Sequence, residues 1–269
     1  MLTWRLLLAI VMLPHGAAPV FAAEPATLIK ARGLYNTAEY DAAIEAAGEA
    51  RRLPDWADAA AVVQGRAYLE RYRQRADPAD LAAGREALQF ARPSRLAPRD
   101  NIDQLVGVGQ WLYLSDWFGS AAGLFDNALT QSVLLTRRER LLLLDWWATA
   151  VDRSAQSRPS DRRAPAYAQL LARMEDEIRR DPSSPVANYW LPVSARGVGD
   201  LDRAWDEAAN GWVRSTLSSE TSFPVREDLD RFVTQVLVVE RSRARSGFEQ
   251  PEAALAMQEQ WQQLKQQWK

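Results

Sequence analysis

The 269-residue sequence has no cysteine, one histidine and three lysines. Without cysteine there is no disulfide, no thiol nucleophile and no Cys/His zinc site. The single histidine, His15, lies in a segment that reads as an export signal, so the mature chain has no imidazole base. A serine triad fails for the same reason, and no Gly-x-Ser-x-Gly elbow occurs. Gly107-Val-Gly109 lacks the preceding strand and third glycine of a dinucleotide loop. Three lysines (Lys30, Lys265 and Lys269) among 33 basic residues leave arginine to supply almost all positive charge. A formal net charge of −2 excludes the strongly basic surface that nucleic acid requires. The expectation is a protein with no cofactor, no metal site and no catalytic residue.

The first 22 residues have the order of a signal peptide. Arg5 precedes the apolar run Leu6 to Leu13, Pro14 and Gly16 interrupt it, and Val20-Phe21-Ala22 matches a signal-peptidase site. The run is far shorter than the roughly 20 residues that span a bilayer. Cleavage after Ala22 leaves a single domain, 23–269, in the periplasm or secreted, and the loss of Arg5 takes the formal charge from −2 to −3. No later segment reads as a membrane span: the densest apolar stretch, Leu141 to Trp147, is short and contains Asp145.

What the mature chain does contain is helix formers, with apolar residues recurring at three and four, as in Leu229, Phe232, Val233, Val236 and Leu237. Prolines fall between these patterns, where they suit the first turn of a helix and break its interior. The pattern predicts helices over 26–36, 39–52, 55–74, 79–92, 99–114, 117–131, 136–155, 164–180, 185–197, 200–217, 225–245 and 251–268. Pro192 falls inside one of them and predicts a kink or an early stop there.

Several helix pairs share one arrangement. Gly109 and Leu112 end one helix, and Phe118, Ala121, Phe125 and Ala128 line the next, with small residues where two helices approach closely. Ala31, Leu34, Ala38, Tyr40, Ala43, Ala47, Ala50 and Pro54 repeat it. Ala61, Gly65 and Tyr68 repeat its first half, followed by a longer insert, and Gly199, Leu201, Ala204, Ala208 and Trp212 repeat its second half. Tyr167, Leu170, Met174 and Pro182 follow more loosely. This pattern resembles the tetratricopeptide repeat, a 34-residue helix–turn–helix unit. The resemblance is close over 26–131 and partial over 165–217. It implies an all-α fold, with antiparallel helix pairs stacked as an α-solenoid. It also implies a concave groove, lined by the first helix of each pair, that binds peptides or helices of other proteins. Carried over, the groove comprises Arg32, Tyr35 and Asn36, then Arg66, Leu69 and Glu70, then Gln110, Tyr113 and Leu114.

Other features are weighed against bland readings. Glu175–Arg179, Asp176–Arg180, Arg203–Glu207 and Glu227–Arg231 are spaced for surface pairs along one helix. Asp228, Asp230 and Glu240 are a conceivable acid/base set, although Asp228 and Asp230 point different ways on a helix. The run from Glu240 to Arg245 reads as a solvated face. Ala254, Met257, Trp261, Leu264 and Trp268 form a heptad seam, read as a capping helix for the last repeat, with a homodimer through 251–268 as the alternative. The expected function is a non-catalytic periplasmic scaffold holding a protein or peptide partner. Two alternatives remain: an accessory subunit of a solute transporter with a ligand cavity, and a carboxylate-dependent cell-wall hydrolase.

Overall fold

A computed structural model of the protein describes residues 23–218, 223–244 and 250–269. Residues 1–22, read above as an export signal, and Arg245 lie outside the described residues. Within them the chain forms helices and no strand. In order these are α1 (Ala26–Asn36), α2 (Tyr40–Ala50), α3 (Ala57–Arg75), α4 (Pro78–Phe90), α5 (Pro98–Leu114), α6 (Phe118–Thr130) and α7 (Arg137–Gln156). They continue with α8 (Ala164–Arg180), α9 (Pro185–Gly197), α10 (Leu201–Arg214), α11 (Val225–Phe232), α12 (Val238–Arg243) and α13 (Gln250–Gln267). A π-helical turn, Val233–Leu237, joins α11 to α12 without a break. All twelve expected helices are present within a few residues of their predicted bounds.

Local chemistry sets the helix starts. Pro78, Pro98 and Pro185 occupy first positions, where the missing N–H is not needed. Thr136 and Glu139 close a capping box on α7, and Asp200 caps α10 by accepting from the Arg203 N–H at 2.9 Å.

The helix ends show the repeat most directly. Ala38, Asp116 and Gly199 each adopt positive φ (61°, 63° and 89°) between two helices. At each, the next residue's N–H donates back five positions: Glu39 to Leu34, Trp117 to Leu112 and Asp200 to Ala195, at 2.9–3.0 Å. The residue in the left-handed conformation donates to Tyr35, Tyr113 and Arg196 in turn. This is one Schellman turn used three times, and it folds each helix back antiparallel on the last. The stripe after each turn is the same. Ala43, Ala121 and Ala204, then Ala47, Phe125 and Ala208, are all fully buried. Phe125 fits among alanines because Gly109 faces it: a Cβ there would lie 2.6 Å from the Phe125 ring. The close approach expected at Gly109 is therefore an aromatic ring filling the space of an absent side chain.

Each helix packs on its neighbours in sequence, and the first helices of successive pairs also touch, α1 on α3 on α5 and α7 on α9 on α11. Tyr113 against Trp146 links α5 to α7, with centroids 5.0 Å apart. The result is a first row (α1, α3, α5, α7, α9, α11) backed by a second (α2, α4, α6, α8, α10), with α12 continuing α11. One apolar core runs from Ile102 to Trp261, and smaller clusters serve α1–α4.

The last helix caps this stack. Trp261 is buried between Trp205 and Trp212 (centroids 6.2 and 5.5 Å away), and Ala254, Met257 and Leu264 pack against the core. Asp230 accepts from Trp261 Nε1 (2.8 Å) and Lys265 Nζ (2.7 Å), so this carboxylate anchors the cap. Four of the five seam residues are thus engaged within the chain, while Trp268 is exposed.

Helix α9 runs over the expected span to Gly197, so of the two outcomes expected at Pro192 the early stop does not occur. The Asn188 carbonyl, deprived of the Pro192 N–H, lies against α10, 2.7 Å from where a Gly211 Cβ would sit. The pairs expected along single helices are redistributed. Glu175 binds Arg203 on α10, Asp176 binds Arg179, Glu207 binds Arg214, and Arg231 binds Asp228. Arginine is long enough to reach these partners, and a contact between helices exploits that reach.

Gly109→Ala tests the crossing. Helix propensity favours alanine by about 1 kcal/mol, but overpacking costs about 1–3 kcal/mol, and a fully buried Phe125 has nowhere to go. The expected outcome in urea denaturation is a net loss of about 1–2 kcal/mol, largely recovered by adding Phe125→Leu.

Candidate partner-binding face

The first row brings most of the expected groove residues together. Arg66 on α3 sits over the Tyr35 ring of α1 (4.9 Å to the centroid) and pairs with Asp103 on α5. Asp103 also accepts from Arg99 (3.3 Å), whose guanidinium reaches Glu139 on α7 at 2.5 Å. Beside this chain, Gln110 Nε2 donates to Glu70 (3.0 Å), and Glu70 holds Arg73 at 2.7 Å. Arg73 lies over Trp146 (5.0 Å), the ring that meets Tyr113 edge-on. Arg32 stands in an adjacent cluster, bridging Glu24 (2.7 Å) and Asp100 (2.6 Å). Asn36 is exposed at the edge of the row. Leu69 does not belong to the face: it is fully buried, with its side chain filling the space beside Gly84 on α4. Leu114 is half-buried.

Two groups of the face are shifted away from neutral pH. Burial pushes the Tyr35 hydroxyl up to about 12, against the opposing pull of Arg66. Hydrogen bonds from Arg99, opposed by burial and aided by the Thr136 backbone and hydroxyl, hold Glu139 down at about 2. The face offers partly exposed rings (Tyr113, Trp146), an exposed amide (Asn36) and a half-exposed guanidinium (Arg73).

Farther along the row lies a group that the sequence reading passed over. Asp145 on α7 accepts from Trp190 Nε1 on α9 at 2.8 Å. Burial raises its pKa, and the Asp228 carboxylate on α11 raises it further. Tyr189 on α9 also senses both carboxylates. The one signal for Asp145 in the sequence was its interruption of an apolar stretch. Nothing in the sequence placed it near Asp228, because the two helices lie on either side of α9.

The carboxylates singled out in the sequence do not converge. Asp230 anchors α13, Glu240 is bound by Arg196 at 2.6 Å, and Asp228 faces Arg231. The buried carboxylates Asp58, Asp80, Asp100, Asp103 and Glu177 each have an arginine partner. Among the described residues no group of three or more His, Asp or Glu side chains is arranged to hold a metal, and no helix is long and apolar enough to cross a membrane. No protein-family model matches the chain, and no curated protein matches it.

Two measurements test this account. Asp103→Ala leaves Arg66 largely buried and unpaired, and should cost about 3 kcal/mol, whereas the double variant Arg66→Met, Asp103→Leu should cost far less. A double-mutant cycle by urea denaturation reads the difference. Glu139→Gln should cost about 1 kcal/mol at pH 7, since the pair is more than a third exposed and screened. A carboxylate whose folded pKa is depressed stabilises above its unfolded value, so the gap between wild type and variant should close as pH falls from about 4.5 towards about 2.

Proposed function

We propose that the protein is a non-catalytic periplasmic scaffold of tetratricopeptide-like repeats, whose first-row face holds an extended segment or helix of a partner protein. One observation carries this reading. The first helices from α1 to α7 present a continuous surface of rings, amides and guanidinium groups, and ion pairs between neighbouring helices hold it rigid. A rigid face with mixed polar and aromatic chemistry loses little entropy on binding and can recognise both side chains and backbone. The export-signal order of residues 1–22 supports the periplasmic location. The solute-transporter reading is less well served. Two clefts of about 360 and 200 Å³ among the described residues are open to solvent rather than enclosed by the helical body.

Affinity capture from a periplasmic extract with the protein, followed by identification of what elutes, tests the assignment. Arg66 is a poor site for a test variant, because its loss would disturb the fold. Arg73→Glu with Tyr113→Leu changes partly exposed positions of the face instead. The expected outcome is at least tenfold less captured partner at unchanged helicity, while Glu86→Arg on the exposed side of α4 captures normally. Equal capture by all three proteins would reject the first-row face.

A further inference from the structure

Among the described residues three side-chain polar atoms are sealed from solvent and have no hydrogen-bond partner: Thr27 Oγ1, Arg66 Nε and Gln110 Oε1. Two of the three, one donor and one acceptor, belong to the first-row face. Gln110 is 3% exposed, and its Nε2 donates to Glu70 at 3.0 Å. The Glu70 carboxylate, which also binds Arg73, accepts and does not donate, so the amide cannot turn to pair its oxygen there. Other buried amides are satisfied at both ends. Gln64 accepts from Arg51 and donates to the Ile44 carbonyl, and Asn188 accepts from Arg214 and donates to the Pro182 and Ser184 carbonyls. A sealed acceptor like that of Gln110 costs free energy until a donor reaches it.

The unpaired donor stands close by. A Cβ added at Gly107 would lie 3.0 Å from Arg66 Cγ, so the Arg66 stem rests on α5 one turn before Gln110. On α3, Arg66 stands one turn before Glu70, the partner of Gln110. Donor and acceptor thus flank one stretch of the α3–α5 contact, on residues one helical turn, about 5 Å, apart. The charges around them balance. Arg66, Arg73 and Arg99 are paired with Asp103, Glu70 and Glu139, so the cluster draws in neither an acid nor an amine. What the two atoms lack is a neutral group with an acceptor for Arg66 and a donor for Gln110.

On the reading of the first row as the partner-binding face, we infer that Arg66 and Gln110 form its subsite for a primary carboxamide, the side chain of an asparagine or glutamine on the partner. A carboxamide holds its carbonyl and one N–H side by side, so it accepts from Arg66 Nε and donates to Gln110 Oε1 at once. A trans backbone amide holds the two on opposite sides and meets only one of them. Entry is from the face, where Arg73, half-exposed and bound to the same Glu70, swings aside.

Nitrogen-15 NMR of the labelled protein tests this through the Arg66 Nε–H and Gln110 Nε2 signals. Four small probes are titrated: propionamide, propionate, propylammonium and N-methylacetamide, the last a trans secondary amide isomeric with propionamide. Propionamide should move both signals saturably, with an affinity at least tenfold above each of the others. Gln110→Met, which keeps the length and loses the acceptor, should weaken it at least tenfold. Arg73→Ala, which clears the entrance, should bind it at least as tightly as wild type. Equal binding of propionate, or an affinity unchanged in Gln110→Met, would overturn the proposal. Equal binding of N-methylacetamide would overturn it in favour of backbone amides, and no response to any probe would leave the two atoms to bound water. Partner capture is read separately. Capture without propionamide binding rejects this subsite and leaves the face standing, whereas propionamide binding without capture rejects the protein-partner reading.

Discussion

The close approach of helix to helix through alanine and glycine is the constraint on which the rest of this structure depends. A chain without disulfides must hold its stack by packing alone. Small residues allow that approach but bury little: a methyl contributes only about 0.8 kcal/mol. The shortfall is met by a few large rings placed where a neighbour has given up its side chain, as Phe125 does against Gly109. Tyr167 plays the same part against Gly197 where α8 meets α9. The alternation of very small and very large residues at the crossings is therefore one device. Small residues set the distance, and rings supply the area.

Electrostatics then fix how the first row is presented. Arg99 links Asp103 to Glu139 across two helices, and Arg71 links Asp41 to Asp80. Such bridges need a planar group with several donors, which a lysine ammonium on its single nitrogen does not match in geometry. Where the carboxylate is buried, as at Asp80 and Asp103, such a pair adds little stability over apolar residues of the same size but is costly to break, so it specifies register more than it strengthens the fold. The abundance of arginine, which read as a compositional bias, has a structural use here. It ties the helices of the first row into one surface.

What could be read from the sequence follows from range. The helix pairs and the buried stripes that follow their turns were legible, because a period of three and four is a local pattern, whereas the left-handed conformation of Ala38 and Asp116 was not, since neither is a glycine. Side-chain partners were not. Glu175 has Arg179 four residues away, yet it takes Arg203 from another helix, and spacing along one helix carries no information about that choice. Leu69 occupied a groove position by analogy, but its side chain fills the space that Gly84 leaves on α4, a partner in another helix that spacing along α3 does not show. The seam on α13 was visible as a seam, while its partner was not, since an apolar stripe suits the chain's own body and a second copy equally well. The approach of Asp145 to Asp228 was invisible for a simpler reason: it depends on how α7 and α11 are placed about α9.

The splay of α8 from α7 shows what happens where the local device is missing. The other tight pairs end their first helix on a left-handed residue that turns the chain straight back. Helix α7 ends instead at Gln156, followed by Ser157 in a right-handed conformation, and prolines stand at 159 and 165. A side chain covers this end: Arg163 donates to the Gln156 carbonyl at 3.2 Å and, just beyond the helix, to the Arg158 carbonyl at 2.9 Å. An arginine cap needs a longer link than a Schellman turn. That link sets α8 away from α7 and onto α9, on which it packs far more closely. The larger cleft, lined by Trp147 and Val151 of α7 and Ala166 of α8, is the space this leaves. The opening and the arginine on its wall thus have one origin, because the segment that supplies the capping arginine also carries Arg158.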